Sequence, residues 1–105
     1  MKRVFVCSPY GGDVARNGDI ARAICRVVAL RGDAPFAPHV FYPGLLDDHV
    51  PAERDLGIAA GMSWLAVADE MLVIGKPTEG MRREIAAAEA LGLAIRHWPD
   101  LDARE

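Results

Sequence analysis

One glutamate stands on a helix face that every other residue there would bury. The segment "TEGMRREIAAAEALG", Thr78 to Gly92, has helical periodicity. At about 100° per residue, Met81, Ile85 and Ala88 share one arc, with Leu91 at its edge. Glu84 falls inside that arc, whereas Arg82, Arg83 and Glu89 lie outside it, as a solvated face should. A carboxylate on a buried face must be paired, hydrogen-bonded or neutralised. Glu84 belongs to the second turn, and its side chain leans back toward the helix N-terminus. Two readings carry about equal weight: a carboxylate presented to a ligand at the helix start, or a rim charge paired with an arginine. Arg82 and Arg83 are its immediate neighbours, and adjacent helical residues do not face each other, which weakens the second.

The start of the same helix is the next candidate. Thr78 is a good N-cap, and Gly80 lets a ligand approach the backbone closely. Unpaired N–H groups over Thr78 to Met81, with the helix dipole, make an anion site. An ordinary capped helix explains Thr78 but leaves Gly80 as an unforced cost. "SPYGGD", with Ser8, Tyr10, Gly11 and Gly12, can form a facing wall, although such turns are common. Asp69 stands just before an apolar strand, and one plain reading is that Asp69 or Glu70 merely ends the second helix in solvent. His39 can touch a ligand, but a lone histidine is more often a satisfied loop or core residue, and His49 and His97 give it no metal spacing. Asp47-Asp48 reads as a solvated turn, Met62 and Trp64 as packing.

These residues need elements to position them. "RVFVC", Arg3 to Cys7, is a strand ending in the Pro/Gly loop. Asp13 caps a helix to about Leu30, stopped at Arg31-Gly32, with Ile20, Ile24, Val27 and Val28 as its stripe. Asn17-Gly18 costs its start roughly 1 kcal/mol of propensity, so irregularity is expected there. Ala34 to Phe41 holds a short second strand ending near Pro38, and "YPGLLDDHV" is a loop. A second helix runs from Pro51 to about Ala68. Met71 to Gly75 is a strand covered on both faces, and "LAIRHW" is the fourth. Pro99 to Glu105 reads as a loose tail. Alternating strands and helices imply one α/β domain, flavodoxin-like (Rossmann-like), with a parallel sheet of about four strands in order 2-1-3-4 and helices on both faces. In such a sheet ligands bind beyond the carboxyl ends of the strands where the order reverses. The two glycine-rich loops, "SPYGGD" and "GKPTEG", flank that point.

Composition narrows the function. With 105 residues, 51% hydrophobic and 26% charged, the chain has an ordinary globular balance and the length of one domain. A net charge of -3 without a basic patch argues against a nucleic-acid polymer as partner. A small anionic ligand remains compatible, since backbone N–H groups can hold a phosphate. Cys7 and Cys25 show neither metal spacing nor a disulfide framework, as suits packing in a reducing cytoplasm. The apolar run after Lys2-Arg3 is too short for a signal peptide, and no run approaches a membrane span. A cytoplasmic location is expected.

With "VFVCSPYGGD", "VADEMLVIG" and "TEGMRREIAAA" in view, the chain resembles the nucleoside 2-deoxyribosyltransferase-like superfamily, which includes nucleoside transferases and nucleotide N-glycoside hydrolases. The nucleotide hydrolases carry Ser-x-Gly-x-x-x-Glu at this loop and helix; here it reads Thr78-Glu79-Gly80-Met81-Arg82-Arg83-Glu84. A branch of small bacterial and phage domains is most alike, sharing "SPY", "APH" and "GM…EI". The resemblance implies that Glu84 is the nucleophile and that Asp69 orients the sugar or assists the leaving base. It implies that Ser8, Tyr10, Gly11 and Gly12 hold base and sugar, with Tyr10 beside the chemistry. Many transferases have an acid where Thr78 stands; a neutral hydroxyl tolerates a phosphate, so a nucleoside 5′-monophosphate is favoured over a free nucleoside.

The expected reaction is cleavage or transfer of an N-glycosidic bond through a glycosyl ester on Glu84. It needs no metal or organic cofactor. The second helix is apolar on two sides, Leu56, Ala60 and Val67 against Ile58, Met62 and Leu65, which suggests deep burial or a subunit interface. The resemblance implies dimers or larger assemblies, and a homodimer is expected. Two rivals remain: a domain of the same fold that senses a nucleotide or nucleotide-sugar without turnover, and a structural or partner-binding domain with Glu84 as a rim charge.

Overall fold

The computed structural model describes residues 1–99. Its strands are β1 (Arg3–Cys7), β2 (Ala34–Phe36), β3 (Glu70–Ile74) and β4 (Ala94–Trp98). Its helices are α1 (Val14–Leu30), α2 (Pro38–Phe41), α3 (Pro51–Leu65) and α4 (Glu79–Ala90), with a 3-10 turn at Tyr42–Gly44 after α2. The strands form one parallel sheet in the order β2-β1-β3-β4. The tail expected over Pro99 to Glu105 lies, from residue 100 onward, outside the described residues.

Strand alternation divides the core into two layers. Val4, Val6, Leu72 and Ile74 face α1, packing with Ile24 and Val28. Phe5, Cys7, Met71 and Val73 face the opposite way, onto Leu65 of α3 and Met81 and Ala88 of α4. Each fully buried large apolar side chain contributes roughly 1.5–3 kcal/mol, so this doubly covered sheet is the main source of stability. It also fixes which way Cys7 points: as the last residue of β1 it faces the α3/α4 layer.

Several boundaries differ from the sequence reading. β2 ends at Phe36, because Pro38 has no N–H for the ladder and its φ suits a first helical turn; it starts α2. The end of the expected strand segment is therefore coiled as α2, and the expected loop "YPGLLDDHV" opens with the 3-10 turn before continuing as a loop. α3 stops at Leu65, three residues early, and Ala66-Val67 form a turn. The buried stripe of α1 is Ala21, Ile24 and Val28, with Ile20 left 38% exposed. The helix face is rotated so that small Ala21, not Ile20, is buried. α1 is continuous through Asn17-Gly18: Asp13 Oδ1 accepts from the Arg16 N–H at 3.1 Å. Asn17 Nδ2 donates to the Gly11 carbonyl at 2.9 Å and so ties the glycine loop to the helix start. Among the described residues no helix is long and apolar enough to cross a membrane.

Candidate functional site

β1 and β3 are neighbours, and the chain leaves them toward opposite edges of the sheet, β2 on one side and β4 on the other. A crevice opens where their carboxyl ends diverge. Here it becomes a cleft of about 470 Å³ lined from α2, α3, α4 and the loop after β1. That size suits a small organic ligand.

Glu84 lines this cleft from α4. Its carboxylate is held from below by β1: the Cys7 thiol donates to Glu84 Oε1 at 3.2 Å. Burial raises the carboxyl's proton affinity above the ordinary glutamate value, while the Cys7 thiol and the charge of His39 pull it back. Burial and then the charge of Glu84 push the Cys7 thiol far up, so it keeps its proton and stays a donor. The rim-charge reading required an arginine partner for Glu84. Glu84 is instead hydrogen-bonded to the thiol, and Arg83 pairs with Glu79 at 3.6 Å.

The N-terminus of α4 forms one wall. Thr78 caps it, with Oγ1 accepting from the Met81 N–H at 3.3 Å. Thr78 and Gly80 both line the cleft, and a Cβ added at Gly80 would meet nothing within 4 Å. Met81 corrects the sequence reading. Its side chain is fully buried in the core and its N–H is taken by the cap, leaving those of Glu79 and Gly80 without an intrahelical acceptor.

Across the cleft, Tyr10, Gly11 and His39 also line it. The His39 ring sits 5.3 Å from that of Tyr10, and His39 Nδ1 donates to the Ser8 carbonyl at 2.7 Å. Ser8 itself is buried beneath the wall, and its contribution is this carbonyl. Gly12 does not line the cleft; with φ of +81° it makes the turn into α1, a conformation that favours glycine.

Asp69 is not brought to the site. It precedes β3, and its carboxylate accepts from the Arg3 N–H at 2.8 Å, at the amino end of the sheet. Five strand residues separate it from the cleft, roughly 16 Å at a strand's rise. Its neighbour Glu70 is buried, not solvated, and accepts from Arg96 Nε at 3.0 Å and Lys2 Nζ at 3.3 Å.

Sequence reasoning missed the wall given by α3: Arg54, Gly57, Ile58, Gly61 and Met62 face the cleft at helical spacing. Gly57 and Gly61, four apart, were the available signal. Gly61 lets α3 approach Pro38 of α2, whose Cβ would lie 3.4 Å from an added Cβ. Met62, read as packing, both packs on the core and lines the cleft. Asp48, read as a solvated turn, reaches the rim.

With this geometry in place, comparison with known proteins adds three findings. The family model described as a domain of unknown function (DUF7768) matches residues 2–98. No curated protein matches. Among solved structures, a 2-deoxyribosyltransferase from the psychrotolerant bacterium Bacillus psychrosaccharolyticus is similar with a TM-score of 0.71 and 16% identity, over 90% of this chain and 70% of that one. A 2-desoxiribosyltransferase from Leishmania mexicana is similar with a TM-score of 0.65 and 14% identity, over 92% of this chain and 63% of that one. At such identities the likeness is one of fold, and function must be argued from the site.

Proposed function

The chain belongs to the DUF7768 family of domains, and we propose that it cleaves or transfers the N-glycosidic bond of a nucleoside or nucleoside 5′-monophosphate, with Glu84 as nucleophile. One observation carries the reading: a half-buried carboxylate, gripped on one oxygen by a thiol, opens onto a ligand-sized cleft at the switch point of the sheet. With Oε1 held by Cys7, Oε2 attacks C1′ and forms a glycosyl ester, dividing one displacement into two. The same negative charge stabilises the oxocarbenium character of the transition state. The fold, shared with two deoxyribosyltransferases, supports this chemistry.

A 5′-phosphate fits the α4 N-terminus, where the Glu79 and Gly80 N–H groups and the helix dipole favour an anion. Arg54 and Arg83 line the same cleft and add positive charge. Binding there contributes remote energy that positions C1′. Leu56 of α3 and Val67, in the turn after it, are 62% and 49% exposed, and this apolar surface suits a second copy of the chain, as a homodimer.

The test is release of free base, followed by chromatography, from ribo and deoxy nucleosides and their 5′-monophosphates, with and without an acceptor base. Base released by the wild type and not by Glu84→Gln supports the reading. A substrate that raises the melting temperature without turnover identifies a nucleotide-sensing domain instead.

A further inference from the structure

The cleft holds a second titratable group, His39, that the nucleophilic step leaves unused. A base leaving C1′ carries the electron pair of the broken C–N bond and departs far more readily when it receives a proton. Asp69, the acid that the sequence pointed to, faces the other end of the sheet.

The geometry of His39 fits that task. A carbonyl oxygen only accepts, so the 2.7 Å contact with Ser8 fixes the hydrogen on Nδ1. Every exchange of a proton with a ligand then passes through Nε2, on the far side of the ring. The Tyr10 ring packs against the imidazole, with centroids 5.3 Å apart and planes tilted by 42°, and restrains it. His39 and Glu84 line the same cleft, and the charge of one is felt by the other. Histidine is also the side chain whose charge ordinarily changes nearest neutral pH, as a group that gives and regains a proton in one cycle requires.

The other acids of the cleft are less well placed. Glu79 is 84% exposed and paired with Arg83 at 3.6 Å. Asp48 is exposed, in the turn before α3.

We propose, on the reading that the domain cleaves N-glycosides, that His39 Nε2 is the proton donor to the departing base. In the first step the C1′–N bond breaks and its electron pair stays with the base, which takes the proton from the imidazolium. Glu84 closes the C1′–O bond. In the second step the neutral imidazole takes a proton from the attacking water, or from the incoming base in transfer, as Glu84 leaves C1′. Both side chains return to their starting charge.

The test separates this role from simple packing by using a leaving group that needs no proton. A purine nucleotide methylated at N7 carries its positive charge already. For the ordinary purine nucleotide, His39→Gln is expected to lower kcat/KM by about 100- to 10,000-fold, the usual contribution of a general acid. For the N7-methylated substrate the loss is expected to stay below about tenfold, which also shows that the variant is folded. Equal losses on both substrates would overturn the proposal and make His39 a positioning residue. An unaffected rate on the ordinary substrate would overturn it as well. If the wild type cleaves neither substrate, the N-glycosidase reading itself fails, and this inference falls with it.

Discussion

The hydrogen bond between Cys7 and Glu84 can be separated from the volume that Cys7 fills. Three substitutions do this. Cys7→Ser keeps a donor but is smaller, Cys7→Val keeps the volume but cannot donate, and Cys7→Ala keeps neither. Cys7 is fully buried in the layer under α4, so loss of the sulfur costs about 1 kcal/mol in burial and cavity. Loss of a donor to a charged acceptor costs roughly 1.5–3 kcal/mol. Cys7→Ala should therefore lose about 2–4 kcal/mol, a fall of roughly 10 °C or more in Tm for a domain of this size.

Activity should follow the donor and not the volume. If the 3.2 Å contact aims the carboxylate in the transition state, its loss reduces kcat by roughly 10- to 100-fold, at 1.4 kcal/mol per factor of ten. Base release should then be within a few-fold of wild type in Cys7→Ser and strongly reduced in both Cys7→Val and Cys7→Ala. Thermal unfolding of the same proteins measures the volume effect separately. Equal activity in Cys7→Ser and Cys7→Val would refute the reasoning, because the thiol would then be packing and nothing more.

Other substitutions test the rest of the site. Glu84 has its proton affinity raised by burial, so its contribution to stability is complete below the ordinary glutamate pKa and is lost as pH rises through the raised value. Glu84→Gln cannot suffer that loss, so its Tm advantage over wild type should grow from mildly acidic pH toward neutral; an advantage independent of pH would contradict the shift. Turnover of the N7-methylated substrate, which needs no proton from His39, should rise over the same interval, since the nucleophile must be ionised. Gly80→Ala places a methyl in open space at the cleft wall, so Tm should hold or rise by up to ~1 kcal/mol equivalent while KM for a 5′-monophosphate increases. Unchanged KM would remove the α4 N-terminus from the binding site. Asp69→Ala should cost about 1–2 kcal/mol through the lost Arg3 N–H acceptor, yet leave kcat within a few-fold; a large loss of kcat with little loss of Tm would restore Asp69 to the chemistry.

The sequence carried the sheet order because its signals are local. Each strand is a short apolar run closed by glycine or proline, and right-handed crossovers leave few ways to arrange four of them. Glu84 was legible for a similar reason: a charge in an apolar arc is visible from spacing alone. Its partner was not. That Cys7 reaches Glu84 depends on the face of β1 that the last strand residue presents, and on α4 lying over that face, which is long-range information. The α3 wall was hidden because a helix that is apolar on two sides has no single marked face, and its cleft side is defined by what Gly57 and Gly61 lack.

Asp69 was misplaced for a reason that the sequence itself contained. In a parallel sheet all strands run the same way, so residues just before a strand gather at one end and residues just after it at the other. The cleft forms at the carboxyl ends, beyond Cys7 and Ile74. A residue that precedes β3 by one position is therefore excluded from the cleft by topology, whatever motif it belongs to. The same rule admits His39, which follows β2 by three positions. It admits Tyr10, which follows β1 by three, and Thr78, which follows β3 by four. Position relative to the strand end thus sorts the candidate acids before any distance is measured. It selects the histidine, and the carbonyl of Ser8 then determines which of its nitrogens is free to act.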